Sequence, residues 1–175
     1  MTLSLGAHPP PFELPGVDGR NHALDDYADA PALAVIWSCN HCPYVQAWEG
    51  RMIELQRDYG DRGVRLVAVS SNDADRYPAD SFEAMQERAR ERGFNFDYLF
   101  DGDQAVARAY GPERTPEVFL FDRDRRLVYH GAIDDSYDEE RVARHHLRDA
   151  LDAVLAGRQP PVAETPPVGC TVKWR

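Results

Sequence analysis

The chain has 175 residues, a formal net charge of −10 and a hydrophobic fraction of 43%. This length suits one domain with its own core, and the acidic excess argues against nucleic acid as a partner. The chain shows no basic and apolar leader and no run of the roughly 18 apolar residues that a membrane span needs. We therefore expect a cytoplasmic protein with no membrane partner, where a close cysteine pair is more often catalytic or metal-binding than structural.

The first elements in chain order lead up to a core strand. A stiff proline-rich segment at residues 8–11 precedes a predicted short strand, turn and returning strand within residues 12–20. One turn of helix fits residues 24–27. Residues 32–37 are predicted as the first core strand, because apolar residues on both faces are typical of the centre of a parallel sheet.

Two cysteines with two residues between them, Cys39 and Cys42, follow this strand directly. A strand that delivers C-x-x-C to the first turn of a helix is typical of a thiol-disulfide active site. Unpaired N–H groups and the helix dipole stabilise a thiolate there and lower its pKa from about 8.5 to roughly 3.5–7.5. We expect Cys39 to be the exposed thiolate and Cys42, inside the helix, to be the resolving thiol. The predicted helix carries an apolar stripe at Val45, Trp48, Met52, Leu55 and Tyr59.

The pair has two other interpretations, half of a zinc site or two unrelated buried cysteines. Zinc usually takes four ligands from two such pairs, and the only other cysteine is Cys170, far along the chain. The sequence therefore predicts redox chemistry with no metal and no organic cofactor. A binding module that holds a metal with Cys39, Cys42 and His41 stays an alternative.

The rest of the chain continues to alternate strands and helices. A second core strand at residues 64–70 completes a βαβ unit, and a polar loop follows it. The tail is proline-rich and extended. The further elements are a helix capped by Asp80 or Ser81 and ending at Arg92, a strand at 96–100, a helix from a cap at Asp103 to Tyr110, a hairpin of strands 117–121 and 126–131, and a helix over about 138–155.

This order of elements, with C-x-x-C at the first strand-to-helix junction, is the thioredoxin arrangement, and short motifs extend the likeness. The chain resembles, over nearly its whole length, a bacterial group of the thioredoxin superfamily described as peroxiredoxin-like or thiol-disulfide isomerase-like. The motifs are Cys39-Asn40-His41-Cys42-Pro43-Tyr44-Val45, Ser71-Asn72-Asp73, Tyr77-Pro78, Ala109-Tyr110-Gly111, Thr115-Pro116, Phe119-Leu120-Phe121-Asp122, Leu127-Val128-Tyr129 and Gly169-Cys170-Thr171-Val172-Lys173-Trp174.

The resemblance implies an α/β protein with a thioredoxin-like fold. Its central mixed β-sheet would be flanked by helices, with an N-terminal hairpin and an inserted strand and helix as in peroxiredoxin-like branches. One domain would span residues 1–175, with a hairpin extension at 1–31 and an extended tail at 158–175.

The resemblance also implies roles for residues around the cysteines. Pro116 would follow a cis bond and face the C-x-x-C, so that the Thr115 backbone could pair with a substrate chain. His41, as an imidazolium, would stabilise the Cys39 thiolate and make the disulfide more oxidising. Asn40 and Pro43, which flank His41 and Cys42, are assigned to substrate binding.

Two departures from related patterns narrow the chemistry. Peroxiredoxins resemble P-x-x-x-T-x-x-C, and with Cys42 as the peroxidatic residue, Cys39 falls at the position of the threonine. The buried acid that thioredoxin carries six residues before its first cysteine is replaced by Leu33. Candidates to replace that acid are Asp73, Asp101 and Glu117.

Cys170 has two interpretations. It could be a third redox thiol that attacks a Cys39–Cys42 disulfide or a sulfenate on Cys39. It could equally be a small hydrophobe that anchors the tail together with Val172 and Trp174. The adjacent His145 and His146 are predicted to lie at the surface or half-buried on the last helix.

The predicted activity is thiol-disulfide exchange, in which Cys39 attacks a substrate disulfide and Cys42 resolves the mixed disulfide. The expected partners are protein or small-molecule thiols and disulfides, with a dithiol as the reductant. A thiol-dependent peroxidase that uses Cys39 is the first alternative.

Overall fold

A computed structural model describes residues 1–175. The strands are β1 (Glu13–Pro15), β2 (Asn21–Ala23), β3 (Leu33–Ser38), β4 (Arg65–Ser70), β5 (Asp97–Phe100), β6 (Arg114–Thr115), β7 (Glu117–Phe121), β8 (Leu127–Gly131) and β9 (Cys170–Thr171). The α-helices are α1 (Pro43–Gly60), α2 (Phe82–Arg92), α3 (Ala105–Tyr110) and α4 (His146–Leu155). Short 3₁₀ turns lie at Leu24–Tyr27, Pro78–Asp80 and Glu139–Arg141.

Five strands form the main sheet in the order β5-β4-β3-β7-β8. The central strand β3 runs parallel to β4 and antiparallel to β7, and β7 and β8 form the predicted hairpin. The strands β1 and β2 pair separately as the N-terminal hairpin. These findings confirm the predicted α/β class with a central mixed sheet.

The core lies in two layers, one on each face of the sheet. Successive side chains of a strand point to opposite faces, so Ala34 and Ile36 join one layer while Val35 and Trp37 join the other. The first layer is covered by α1, α2 and α4, and the second by α3 and the N-terminal hairpin. The predicted apolar stripe of α1, from Val45 to Tyr59, is buried throughout.

One predicted detail of the helices is wrong. The last helix does not run over 138–155: a 3₁₀ turn at Glu139–Arg141 precedes α4, which begins at His146. The intervening backbone bonds elsewhere, since the Asp135 carboxylate accepts the Ala143 N–H at 2.9 Å. At the start of α3 the Asp103 carboxylate accepts the Ala105 N–H at 3.0 Å, as predicted, and Asp101 accepts the next two N–H groups.

The tail returns across the sheet edge to the end of β6. His130 exchanges backbone hydrogen bonds with the tail at Ala163 and Thr165, both at 3.0 Å, and β9 then pairs antiparallel with β6. The helices are all too short or too polar to cross a membrane. The cytoplasmic location and the division into 1–31 and 158–175 stay predictions.

Candidate active site

The C-x-x-C segment connects the central strand to α1. Cys39 lies one residue after β3, and Cys42 is the N-cap residue of α1, which begins at the exposed Pro43. Cys39 is 1% exposed and Cys42 is completely buried. The prediction of an exposed Cys39 is therefore wrong, and Cys42 lies at the start of the helix rather than inside it.

Thr115 and Pro116 cover the two thiols from the opposite side. The Thr115–Pro116 bond is cis, as the resemblance implied. The Cys39 sulfur lies 3.7 Å from Thr115 Oγ1, and the Cys42 sulfur lies 3.7 Å from the Thr115 carbonyl oxygen. Both sulfurs therefore face the backbone at which the resemblance places a substrate chain.

A fully buried carboxylate, Asp80, fixes the loop between the cysteines. Its Oδ1 accepts the Asn40 N–H at 2.7 Å and the His41 N–H at 3.3 Å, and its Oδ2 accepts Asn72 Nδ2 at 2.9 Å. The His41 Nδ1 lies 2.5 Å from Asp80 Oδ2, and its ring stacks on Tyr77 with centroids 5.6 Å apart. The His41 ring is therefore held between Asp80 and Tyr77.

Sequence reasoning treated Asp80 only as a cap of α2. The structure gives that role to Ser81, whose hydroxyl accepts the Ala84 N–H at 3.2 Å. The available signal was the pair of adjacent cap-type residues, because a helix start needs only one side-chain cap. The second, Asp80, was free to serve another site.

Asn40 is used inside the protein. Its side chain donates to the Ala79 carbonyl at 2.9 Å and accepts the Tyr98 hydroxyl at 2.8 Å. These bonds hold the loop against the 3₁₀ turn at Pro78–Asp80 and against β5, and they turn the amide away from solvent. The assignment of Asn40 and of the exposed Pro43 to substrate binding stays a prediction.

The surroundings of the two thiols shift their pKa values in opposite directions. A hydrogen bond from the Cys39 thiol lowers the pKa of Cys42 to about 4 against the effect of burial, and Cys170 and the nearby Val45 N–H contribute. The same hydrogen bond raises the pKa of Cys39, and burial and the charge of Asp80 raise it further. The helix N-terminus also favours negative charge on Cys42. The expectation that Cys39 carries the attacking thiolate stays a prediction.

The acids proposed to replace Leu33 have other partners. Asp101 accepts the Ser71 hydroxyl at 2.7 Å as well as the first N–H groups of α3. Glu117 accepts the backbone N–H groups of Glu113 and Arg114, both at 3.0 Å. The remaining candidate, Asp73, accepts the Asp75 N–H. Asp80 is instead the buried carboxylate whose charge acts on Cys39.

Cys170 lies half-buried in β9, and its sulfur is 2.6 Å from the Cys42 sulfur. Of its two predicted neighbours in the anchor, Val172 is buried but Trp174 is 38% exposed. On the last helix, His145 is exposed and His146 is half-buried, as predicted.

Three potential metal ligands lie together beside the cysteines. The Cys39 sulfur, the His41 Nδ1 and an Asp80 oxygen are all within 4.8 Å of one another. This set differs from the predicted metal set, in which Cys42 took the place of Asp80. The Asp80 oxygens already accept three N–H donors, so these hydrogen bonds, rather than a metal ion, account for the position of the carboxylate.

A buried dithiol between a central strand and a helix, opposite a cis proline, defines a thioredoxin-like site. The chain belongs to the AhpC/TSA family, whose sequence model matches residues 5–130. It is 28% identical over 127 residues to the thiol-disulfide oxidoreductase ResA of Geobacillus thermodenitrificans, a match that covers 71% of this chain and 67% of that protein.

Two crystal structures share the complete fold. A conserved protein from Geobacillus kaustophilus, described as uncharacterized, is 42% identical with a TM-score of 0.93, over 98% of this chain and 93% of that one. A hypothetical protein from Sinorhizobium meliloti is 38% identical with a TM-score of 0.94, over 100% and 97% of the two chains. The match to the AhpC/TSA family and the similarity to ResA confirm the thioredoxin superfamily and its peroxiredoxin-like group as the family of this chain.

Proposed function

We propose that this protein is a thiol-disulfide oxidoreductase that exchanges disulfides through Cys39 and Cys42. The observation that carries the proposal is the position of both sulfurs against Thr115, beside the cis bond to Pro116. The similarity to a relative described as a thiol-disulfide oxidoreductase supports the same reaction. The proposed substrates are thiols and disulfides of proteins or small molecules, a dithiol is the proposed reductant, and the cytoplasm stays the expected location.

The proposed reaction begins with a proton transfer inside the pair. The Cys39 thiol gives its proton to the Cys42 thiolate, and the Cys39 sulfur attacks one sulfur of the substrate disulfide. The other substrate sulfur leaves with the electron pair, and a mixed disulfide remains on Cys39. Cys42 then attacks the Cys39 sulfur and gives its proton to the departing substrate thiolate. The products are a Cys39–Cys42 disulfide, one substrate thiol and one substrate thiolate, which takes up a proton from the solvent.

Asp80 has a definite part in this scheme. Its negative charge destabilises a free thiolate on Cys39. Disulfide formation removes this unfavourable charge, so it relieves more repulsion at Cys39 than at Cys42. Asp80 also holds the Asn40 and His41 N–H groups, which keeps the loop in one conformation. We therefore assign Asp80 as a positioning and charge-setting residue.

The test is a redox titration of Cys170→Ser, in which the C-x-x-C pair is the only dithiol left. The variant is equilibrated in thiol–disulfide buffers of stepped potential, and alkylated and oxidised forms are counted by mass. A single two-electron transition is expected, together with Cys39-dependent reduction of a disulfide peptide. The absence of any Cys39–Cys42 disulfide at all accessible potentials contradicts the proposal.

The peroxidase alternative is tested on the same samples. Peroxide consumption with a thiol donor is compared for the unmodified chain and Cys39→Ser. We expect no Cys39-dependent consumption beyond that of a free thiol, because Cys39 occupies the position of the peroxiredoxin threonine. Rapid consumption that Cys39→Ser abolishes favours the peroxidase.

A further inference from the structure

We propose that Cys170 takes Cys42 out of the Cys39–Cys42 disulfide and forms a Cys42–Cys170 disulfide, so that the tail strand acts as a built-in substrate chain. This proposal rests on the proposed function, because it needs the Cys39–Cys42 disulfide as its starting point. It is carried by the contact of the sulfurs, the pairing of β9 with β6 and the close approach of Gly169.

The sulfurs are already in contact. Cys170 Sγ lies 2.6 Å from Cys42 Sγ, and a disulfide bond measures about 2.05 Å, so bond formation needs less than about 1 Å of movement. The Cys170 sulfur also lies near the Tyr44 N–H, in the first turn of α1. Both sulfurs therefore share the positive end of the same helix.

The tail backbone occupies the position expected of a substrate strand. In the pairing of β6 with β9, Cys170 lies directly opposite Thr115. The Val172 N–H donates to the Glu113 carbonyl at 3.1 Å, which continues the pairing. Addition of a strand to an exposed edge is a general mode of peptide recognition, and here the added strand carries a cysteine at the residue opposite Thr115.

Gly169 allows this approach. A Cβ at Gly169 would overlap the Thr115 carbonyl, and that backbone atom cannot move aside as a flexible side chain can. The Gly169 carbonyl accepts a hydrogen bond from Arg114 Nη1 at 3.1 Å, and this bond helps to fix the position of the glycine. A side chain here would lift Cys170 from Cys42 while leaving all three thiols in the chain.

The segment after Cys170 is fixed independently. The Lys173 N–H donates to Asn72 Oδ1 at 2.9 Å, and the Lys173 carbonyl accepts the Asp73 N–H at 2.9 Å and Gln104 Nε2 at 3.0 Å. A hydrophobic anchor alone would be supplied by the buried Val172. It does not require a sulfur at Cys170, and it does not require that sulfur to face another thiol.

The proposed step conserves atoms and electrons. The Cys170 thiol loses its proton, and its sulfur attacks Cys42 of the Cys39–Cys42 disulfide. The Cys42–Cys170 bond forms, the Cys39–Cys42 bond breaks, and the electron pair leaves on the Cys39 sulfur, which takes up a proton. No external oxidant is consumed. Burial raises the pKa of Cys170 to about 11 with help from the Cys42 thiolate, and the second cause disappears once Cys42 is in a disulfide.

The step changes which thiol is available. After it, Cys39 is free, Cys42 is covered, and the tail is covalently fixed along β6. An external substrate that pairs with Thr115 then has to displace the tail, and this requires reduction of the Cys42–Cys170 bond. The chain would therefore hold its oxidising equivalent in a form closed to strand-pairing substrates.

Tryptic mapping distinguishes the two disulfides. Residues 21–51 form one peptide with both Cys39 and Cys42, whereas residues 159–173 form the peptide with Cys170. The full chain is oxidised with one equivalent of a small disulfide, blocked by alkylation at timed intervals and digested without reduction. We expect the looped 21–51 peptide first and then its conversion to a 21–51/159–173 crosslink that carries alkylated Cys39.

Variants identify the atoms and the geometry. Cys42→Ser should lose the crosslink, and Gly169→Ala should lose most of it while retaining the looped peptide. Gly50→Ala is the matched control, because its Cβ meets open space, and it should keep the crosslink. Thermal melts confirm that each variant is folded.

The outcomes separate this proposal from the proposed function. A persistent looped peptide with no crosslink overturns the proposed transfer but leaves exchange through Cys39 and Cys42 intact. A crosslink that forms in Gly169→Ala as readily as in Gly50→Ala overturns the role of the tail strand. The absence of the looped peptide at every time and potential, in the full chain and in Cys170→Ser, overturns the proposed function itself.

Discussion

Cys39 lies beside a buried carboxylate, whereas Cys42 lies at the positive end of α1 and touches a third thiol. On the first side, Asp80 holds the loop and raises the pKa of Cys39 along with Cys42 and burial. On the second side, the Cys39 thiol, Cys170 and a backbone N–H lower the pKa of Cys42 to about 4. The pKa values of two thiols three residues apart are therefore shifted in opposite directions, because their surroundings differ in charge.

This contrast explains why the two cysteines of one short loop have different roles in the proposed reaction. In the proposed reaction the Cys42 thiolate acts as the base for Cys39, so the reaction does not require the buried acid that Leu33 replaces. The Cys42 side also carries the tail, which reaches that thiol through backbone pairing with β6. The Cys42 sulfur is therefore both the proposed base for Cys39 and the atom that the docked tail contacts.

The strongest way to break the contrast is Cys42→Ser. It removes both the base and the resolving thiol, and loss of a general base alone typically costs 10²–10⁴-fold in rate. We expect turnover of a disulfide peptide to fall by at least about 100-fold. A mixed disulfide should accumulate on Cys39, seen by mass under non-reducing conditions. Cys39→Ser should form no such adduct, and the reverse pattern would assign attack to Cys42.

Asp80→Asn tests the other side. Removal of the charge should lower the pKa of Cys39 and increase its thiolate fraction, so alkylation at neutral pH should accelerate. The rate is measured against pH in a chain that also carries Cys42→Ser and Cys170→Ser, where Cys39 is the only thiol. Asp75→Asn, at an 86% exposed side chain in the same region, is the control and should leave the profile unchanged. Equal profiles for both variants contradict the assigned role of Asp80.

The same asparagine also tests the structural part of Asp80. A buried acceptor that loses one good partner typically costs about 1–3 kcal/mol. Asp80→Asn should therefore reduce the free energy of unfolding by that order, measured by urea denaturation. Asp75→Asn should stay within about 0.5 kcal/mol, as for surface substitutions in general.

The sequence predicted those parts of the structure that depend on residue patterns within one segment. The strand before Cys39, the apolar stripe from Val45 to Tyr59 and the hairpin of β7 and β8 each follow from residue periodicity along one segment. The bounds of α4 did not follow, because backbone bonds such as that between Asp135 and Ala143 compete with the helix. Burial of Cys39 also escaped prediction, because it depends on packing between distant segments.

Asp80 shows the same limit at the site itself. Its bond to the Asn40 N–H joins residues 40 positions apart, and the contact of Cys42 with Cys170 spans 128 positions. Spacing within a motif carries no information on such pairs. The residue type of Asp80, directly before a helix, predicts a helix cap. In the structure Ser81 is the residue that caps the helix.

Protonation of His130 tests the same comparison of the Cys39 and Cys42 surroundings, because it affects only the region where the tail is held. Burial opposes its charge, but Glu117 at 2.9 Å and Glu164 at 3.2 Å outweigh burial and raise the pKa of His130 above 6.5. A raised folded-state pKa means that the added stability is complete below about 6.5 and is lost as pH rises through the folded value. Unfolding measured across this range should show the decline, and His130→Gln should remove it. The exposed His145 offers the control, since His145→Gln should leave the decline in place.

Glu164→Gln is expected to have the smallest effect. Its side chain is 60% exposed, and exposed ion pairs are typically worth 0.2–1 kcal/mol. The tail is held here mainly by the backbone bonds of His130 to Ala163 and Thr165. We therefore expect a loss of less than about 1 kcal/mol in urea denaturation and an undiminished Cys42–Cys170 crosslink. If Glu164→Gln releases the crosslink as Gly169→Ala should, then the ion pair rather than the backbone pairing holds the tail, and the site depends on charge on both of its sides.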